Sequence, residues 1–255
     1  MEYLISANTD IGTTKKTNQD SLDMKILNTS QGRMVFAILC DGMGGLEKGE
    51  VASSAVIQEF DRWVKNELPV LCNGMIEDNL IRRQWENIIE RMNHNISNYG
   101  ARQGVKMGTT VAAILLTGTR YYILNVGDSR VYEIADSVRQ LTTDQTFVGR
   151  EVALGHMTEK EAQNDKRKNI LLQCVGASDE VYPEMVYGDT KKDAVYMLCS
   201  DGFRHEISTE EIFQSFMPQE LVNTDIMYQR TEMLIEENKK RGERDNITAA
   251  LIRTY

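Results

Sequence analysis

The sequence predicts an α+β fold with a central antiparallel β-sandwich flanked by helices, in α-β-β-α order. Short apolar stretches rich in β-branched and aromatic residues alternate with longer segments of helical periodicity. Several of these stretches are almost continuously apolar, so their sheets must be covered on both faces. The strands follow one another in hairpin order with long helices inserted, which favours two packed, mainly antiparallel sheets.

The predicted strands are the segments in which apolar residues follow one another most closely. They are Tyr3–Ala7, Met34–Cys40, Thr109–Leu116, Tyr121–Val126, Ala194–Cys199 and Ile247–Ile252. The longest purely apolar runs are far shorter than the about 20 residues that a membrane-spanning helix needs. We therefore expect no association with a membrane.

The predicted helices lie between these strands. Apolar residues recur at three- and four-residue spacing within 52–64 and 81–99, which indicates two long amphipathic helices. A third helical region covers about 223–240. Thr158-x-x-Glu161 and Ser208-x-x-Glu211 have the sequence of capping boxes and predict two short helices. The simplest role for the large apolar side chains on these faces is core packing.

Length, charge and composition limit the classes of function. The chain has 255 residues and a net charge of −9, with no linker rich in Pro, Gly or Ser, so we expect a single compact domain over residues 1–255. The negative charge disfavours nucleic acid and anionic membranes as partners. Met1 is not followed by a basic and then apolar leader, which together with the cysteine usage leads us to expect a cytoplasmic protein.

The cysteines do not indicate a zinc site. The four cysteines include no C-x-x-C pair, and the three histidines are equally scattered. Cys40 and Cys199 lie inside apolar runs and are expected to be buried core thiols.

Aspartates stand at the ends of several predicted strands. Asp41-Gly42 and Asp201-Gly202 each follow a strand directly, Asp245 comes just before the last strand, and Asp128 follows another. Because one strand of an antiparallel sheet ends beside the start of its neighbour, these carboxylates can converge. A single Asp-Gly pair is usually a turn, but this set at these positions favours a shared site.

Clustered carboxylates without matching Lys or Arg side chains repel one another, and divalent cations remove that repulsion. All-oxygen ligation selects hard ions such as Mg²⁺ or Mn²⁺. Two such ions can bridge a water, lower its pKa and direct it at a phosphorus atom. The residues therefore suit phosphoryl hydrolysis, and the sequence offers neither a Cys-x5-Arg loop nor a nucleotide-binding P-loop.

Motifs along most of the chain resemble those of the metal-dependent serine/threonine protein phosphatases of the 2C type. They are Asn18-Gln19-Asp20-Ser21, Asp41-Gly42-Met43-Gly44-Gly45, Gly108-Thr109-Thr110, Val126-Gly127-Asp128-Ser129-Arg130, Leu141-Thr142-Thr143-Asp144, Ser200-Asp201-Gly202 and Arg244-Asp245-Asn246. The form of the second motif and the compact length are similar to the bacterial branch. The resemblance implies the sandwich fold, a binuclear Mn²⁺/Mg²⁺ centre, and phosphoserine and phosphothreonine proteins as substrates.

The resemblance also implies roles for particular residues. Asp41 would bridge both ions, the Gly42 carbonyl would complete one, and Asp201 with Asp245 would hold the other. Asp128 matches the position that helps to bind a third, weaker ion. Residues 146–176 match a mobile flap beside the active site.

Three residues depart from the family's usual pattern. Gln19 stands where many members have Glu and, with Asp20, would contact the ions through water. Lys15 occupies the place of an arginine that binds the substrate phosphate, and lysine keeps the charge but lacks the bidentate fork. Met43 replaces a histidine of the animal enzymes that is a proposed proton donor, so the leaving group must be protonated from elsewhere.

Three functions are compatible with these residues. The first is an active phosphoprotein phosphatase that opposes a serine/threonine kinase. The second is a catalytically silent family member that acts as an interaction or regulatory module, although such a protein would be expected to lose metal ligands. The third is a hydrolase of small phosphoesters or nucleic acid, which the acidic composition disfavours.

Overall fold

The computed structural model describes residues 1–43 and 48–255. Gly44 and Gly45, which end the motif that begins at Asp41, lie outside the described residues. Over the described part of the chain, no helix is long and apolar enough to cross a membrane.

The described strands form two antiparallel sheets of five strands each. Their bounds are β1 Tyr3–Asp10, β2 Asp20–Thr29, β3 Gly32–Asp41, β4 Val111–Leu116, β5 Arg120–Val126, β6 Arg130–Ile134, β7 Val138–Gln140, β8 Glu184–Asp189, β9 Val195–Cys199 and β10 Ile247–Thr254. The first sheet has the order β1-β10-β9-β6-β7 and the second has the order β2-β3-β4-β5-β8. All six predicted strands are present.

The helices lie outside the two sheets. Their bounds are α1 Gly49–Asn66, α2 Leu68–Leu71, α3 Asp78–Gln103, α4 Phe147–Ala153, α5 Glu159–Asn164, α6 Asp201–Arg204, α7 Thr209–Phe216 and α8 Thr224–Arg241. The three predicted long helices correspond to α1, α3 and α8. Both capping boxes are formed, with Thr158 and Ser208 as N-caps of α5 and α7.

Strand β3 explains why some strands are apolar on both faces. Val35, Ala37 and Leu39 contribute to the core between the two sheets. The alternate residues, including Phe36 and Ile38, belong to a second core cluster under α1 and α3. A third cluster packs α6, α7 and α8 against the first sheet. The predicted α-β-β-α sandwich is therefore confirmed, and Cys40 and Cys199 are buried as expected.

Four strands were not predicted from the sequence, namely β2, β6, β7 and β8. Of these, β2, β7 and β8 lie at sheet edges. Most residues of β2 are only half-buried, and Asp23 and Lys25 interrupt its apolar residues. An edge strand needs no continuous apolar run, because part of its surface remains in water.

Candidate active site

The predicted metal ligands lie at neighbouring ends of the two sheets. Asp201 follows β9 and Asp245 precedes β10, and these two strands are neighbours in the first sheet. Asp41 ends β3, which belongs to the second sheet, so it does not reach the other two through a neighbouring strand of the same sheet. The two sheets bring their ends together instead. The carboxylate of Asp41 interacts electrostatically with four other carboxylates, those of Asp20, Asp201, Asp128 and Asp245.

Asp20 connects the two sheets directly. It begins β2 and pairs with Asp41 in the strand register. Its Oδ2 accepts hydrogen bonds from Ser200 Oγ (2.9 Å) and Thr248 Oγ1 (2.5 Å), both in the first sheet. The carboxylate of Asp20 therefore fixes the separation of the two halves of the site. Sequence reasoning gave it only a water-mediated contact with the ions.

The Gly108-Thr109-Thr110 motif holds the backbone of Asp41. The carbonyl of Asp41 accepts hydrogen bonds from Thr110 N (2.8 Å) and Thr109 Oγ1 (2.9 Å). The amide of Asp41 donates to Thr110 Oγ1 at 3.0 Å. With its backbone fixed by these three bonds, Asp41 presents its side chain from a rigid strand end.

Two glycines are required by close backbone contacts. A Cβ on Gly42 would lie 2.5 Å from the carbonyl carbon and oxygen of Gly49, at the start of α1. A Cβ on Gly202 would lie 2.2 Å from the carbonyl oxygen of Asn246. Only glycine allows α1 and α6 to pack this tightly against the strand ends that carry Asp41 and Asp245.

The junction carboxylates, which we define as Asp20, Asp41, Asp201 and Asp245, repel one another. Burial and then the like charges of its neighbours raise the pKa of Asp41 well above its usual range. Burial is also the main reason that the pKa of Asp20 is raised to about 6, although bonds from Thr248 and Ser200 oppose the shift. Such a cluster is stabilised either by protons or by cations.

The donor chemistry of this junction suits hard divalent cations. Asp20 Oδ1 and Asp201 Oδ1 are buried and have no hydrogen-bond partner among the described residues. Within 1–43 and 48–255, no three His, Cys, Asp or Glu side chains are already grouped tightly enough to hold an ion. The unpartnered buried oxygens of Asp20 and Asp201 are atoms available to an ion.

Lys15 and Gln19 lie beside the junction carboxylates. Lys15 Nζ is 2.7 Å from Asp245 Oδ1, and both side chains are partly exposed. The backbone amide of Gln19 donates to Asn246 Oδ1 at 2.8 Å, and its side-chain amide lies 3.5 Å from Glu50 Oε2. The structure thus brings Lys15 to a predicted metal ligand, and its contact with the substrate phosphate stays a prediction.

His205 is a site residue that sequence reasoning missed. Its Nε2 lies 3.5 Å from Asp201 Oδ2, and its Nδ1 lies 3.0 Å from Glu243 Oε2. Burial lowers the pKa of His205, but the bond to Glu243 and the charge of Asp201 outweigh burial and raise it. The only signal in the sequence was the spacing of His205 from Asp201, which places both on one side of a helical turn.

Asp128 lies in a separate group beside the junction carboxylates, together with Asp144, Arg130 and Arg204; we call these four residues the arginine cluster. Arg130 makes a bidentate bond to Asp144, with distances of 2.8 Å and 2.6 Å. Arg204 Nη2 lies 3.3 Å from Asp128 Oδ2. Burial and then the charge of Asp201 raise the pKa of Asp128 to about 7, even though Arg204 opposes the shift. Sequence reasoning did not predict Arg204.

The segment predicted as a flap forms one wall of a cleft next to the arginine cluster. The cleft has a volume of about 860 Å³ and extends from Asp128 past α4 and α5 to the start of α7. Residues 146–176 contain both short helices, and Thr146 caps α4. The cleft is therefore lined by the arginine cluster on one side and by this segment on the other.

The comparisons with known proteins agree with this geometry. Residues 12–233 match the model of the protein phosphatase 2C family. The chain is 30% identical over 252 residues to the protein phosphatase PhpP of Streptococcus pneumoniae, covering 97% of this chain and 96% of that protein. The chain therefore belongs to the protein phosphatase 2C family. The predicted resemblance and the predicted enzyme class, a protein serine/threonine phosphatase, are confirmed.

Solved structures are similar over the whole chain. The serine/threonine phosphatase Stp1 from Staphylococcus aureus has a TM-score of 0.83 at 27% identity, covering 100% of this chain and 96% of that one. The catalytic domain of the phosphatase PstP, solved in complex with two manganese ions, has a TM-score of 0.76 at 27% identity. It covers 98% of this chain and 97% of that one. The family is metal-dependent, which agrees with the donor chemistry of the junction.

Proposed function

We propose that the chain hydrolyses phosphoserine and phosphothreonine in phosphorylated proteins, with two Mn²⁺ or Mg²⁺ ions bound at the junction carboxylates. The observation that supports this most directly is the set of mutually repelling carboxylates at the meeting point of the two sheets, where the pKa values of Asp20 and Asp41 are raised. Membership of the protein phosphatase 2C family supports the reaction class.

In this proposal Asp41 and the Gly42 carbonyl, at the end of β3, would hold the ions together with Asp201 and Asp245. Gln19 and Asp20 would contact the ions through water. For Asp20 the available oxygen is Oδ1, because Oδ2 is already bonded to Ser200 and Thr248.

When bound, the ions supply an activated water and neutralise the charge of the phosphate. The chain's own groups set the geometry. Thr109 and Thr110 hold Asp41 in place, and Asp20 fixes the distance between the sheets. Lys15 Nζ adds a positive charge at the edge of the site, where it would contact the phosphate once Asp245 is occupied by an ion.

We further propose that residues 1–255 act as one catalytic domain, with 146–176 as its flap. The cleft beside this segment would accommodate the polypeptide on either side of the phosphorylated residue. The net charge of −9 disfavours nucleic acid as an alternative substrate. The partner is therefore a phosphorylated protein, and the opposing enzyme a serine/threonine kinase.

The decisive experiment compares phosphate release from a phosphoserine peptide and from a small aromatic phosphoester, with Mn²⁺ and with EDTA. We expect Mn²⁺-dependent release that favours the peptide and stops in EDTA. A preference for the small ester would support a hydrolase of small phosphoesters. A folded protein that binds Mn²⁺ but releases no phosphate from any tested substrate would support the silent regulatory module.

A further inference from the structure

Arg204 lies beside Asp128, the residue for which the family resemblance implies a third metal ion. It is the last residue of α6, three positions after Asp201. Its Nη2 donates to the Asp128 carbonyl at 3.1 Å and lies 3.3 Å from Asp128 Oδ2. The same nitrogen is 3.6 Å from Asp144 Oδ2. The guanidinium therefore lies between the two carboxylates of the arginine cluster.

The second arginine of the cluster is already held by other groups. Arg130 donates hydrogen bonds to both carboxylate oxygens of Asp144. It also donates to the hydroxyl of Tyr132, at 2.7 Å. The side chains of Asp128 and Arg204 are only 10% and 13% exposed, so the solvent screens their interaction weakly. Two carboxylates and two guanidinium groups thus face one another in a largely buried space.

We infer that Arg204 takes the place of a third metal ion at Asp128, as a positive charge attached to the chain. A divalent ion at Asp128 Oδ2 would lie within a few ångströms of a guanidinium, and like charges in a buried site repel strongly. An incoming ion would have to displace the guanidinium from the carbonyl of Asp128 and from the carboxylates of Asp128 and Asp144. The residues around Asp128 therefore do not fit a third ion in this chain.

Counting bound ions tests this inference without measuring activity. Native mass spectrometry and calorimetry with Mn²⁺ should find two ions on the wild type and on Arg204→Lys, which keeps the charge. Arg204→Met keeps much of the side-chain volume without the charge and should bind one additional ion. Arg102→Met, at an exposed position in the last turn of α3, is the matched control and should bind two.

A second measurement does not depend on metal at all. Thermal unfolding in EDTA is compared for Arg204→Met, Asp128→Asn and the double variant. If Arg204 is the counter-ion of Asp128, Arg204→Met leaves a buried carboxylate unpaired and lowers the melting temperature. The double variant should recover most of that loss, because the unpaired charge is gone.

The inference rests on the proposed metal-dependent function only for the ion count. Three ions on the wild type, or an unchanged count in Arg204→Met, would overturn it. Additive effects of the two substitutions in EDTA would also overturn it. A wild type that binds no Mn²⁺ but shows strong coupling in EDTA would instead overturn the proposed function and support the pairing of Arg204 with Asp128.

Discussion

The junction carboxylates and the arginine cluster lie next to each other but differ in how their negative charge is balanced. At the junction, four aspartates share one lysine and one histidine among the described residues close to them. In the arginine cluster, two aspartates face two arginines. In the proposed function the first region takes cations from solution, whereas the second contains its own positive charges.

The pKa values follow this difference. Burial raises the pKa of Asp144, but the bonds and charges of Arg130 and Arg204 outweigh burial and lower it below the usual value. Asp41, also shielded from water but surrounded by carboxylates, has a raised pKa. Asp128 is intermediate, because the charge of Arg204 lowers its pKa while the charge of Asp201 raises it. Because burial raises the pKa in all three cases, the neighbouring side chains decide the difference between them.

The largest effect is expected from removing one charge at the junction. Asp201→Asn keeps the shape of the side chain but should lower Mn²⁺-dependent kcat by about 1000-fold, since metal ions supply several kcal/mol of transition-state stabilisation. Phosphate release from a phosphopeptide measures this. Asp136→Asn, at an exposed turn after β6, is the control and should keep wild-type activity. Normal turnover by folded Asp201→Asn at saturating Mn²⁺ would contradict the site.

The next effect concerns the orientation of Asp201. If His205, held by Glu243, positions the Asp201 carboxylate, His205→Gln should weaken Mn²⁺ binding by about 10–100-fold, the usual cost of losing a partner of a metal ligand. Glu243→Gln should change the affinity in the same direction. Calorimetry measures both, with exposed His156→Gln as the control. Unchanged Mn²⁺ affinity in His205→Gln would limit His205 to packing.

Much of this fold could be predicted from the sequence, because its buried strands and amphipathic helices carry strong apolar periodicity. The edge strands β2 and β8 could not, since half-buried residues mix polar and apolar types. The strand-end aspartates were identified from local sequence alone. Their arrangement across two sheets was missed, because sequence order does not tell which strands share a sheet.

The polar partners of the site were harder to predict. The contact of Arg204 with Asp128 joins residues that are distant in sequence, and so does the bond from His205 to Glu243. Long-range pairs of this kind leave no periodic signal. The ion pair between Lys15 and Asp245 is another such long-range contact. It gives Lys15, which was assigned to the substrate phosphate, a second possible role as the partner of Asp245.

A smaller effect is expected on the stability of the metal-free protein. The folded-state pKa of Asp20 is about 6 against an ordinary value of 3.8, so the native state holds a proton that the unfolded state has lost between these values. Stability in EDTA should therefore fall as the pH rises from about 4 to about 6. Asp41, whose pKa is also raised, acts in the same direction. Melting temperatures measured across this range should decrease in EDTA.

Saturating Mn²⁺ should remove most of this decrease, because ions replace the protons among the junction carboxylates. Asp20→Asn should reduce the slope in EDTA, since one of the titrating groups is gone. A melting temperature that rises steadily over the same range in EDTA would show that the junction carboxylates are not the groups that control stability.

The smallest effect, and the one that best separates two roles, is expected at Lys15. If its ammonium contacts the phosphate, Lys15→Ala should lower kcat/KM for a phosphopeptide by about tenfold, a loss of about 1–3 kcal/mol for a charged hydrogen bond, while Lys15→Arg should raise it. Lys16→Ala, at the exposed neighbouring position, should change neither kcat/KM nor Mn²⁺ affinity. If Lys15 instead serves only to neutralise Asp245, 2.7 Å away, its removal would leave kcat/KM at saturating Mn²⁺ unchanged and would tighten Mn²⁺ binding, because a competing cation is lost. Measuring both quantities on the same three variants therefore assigns Lys15 either to the substrate or to the junction carboxylates.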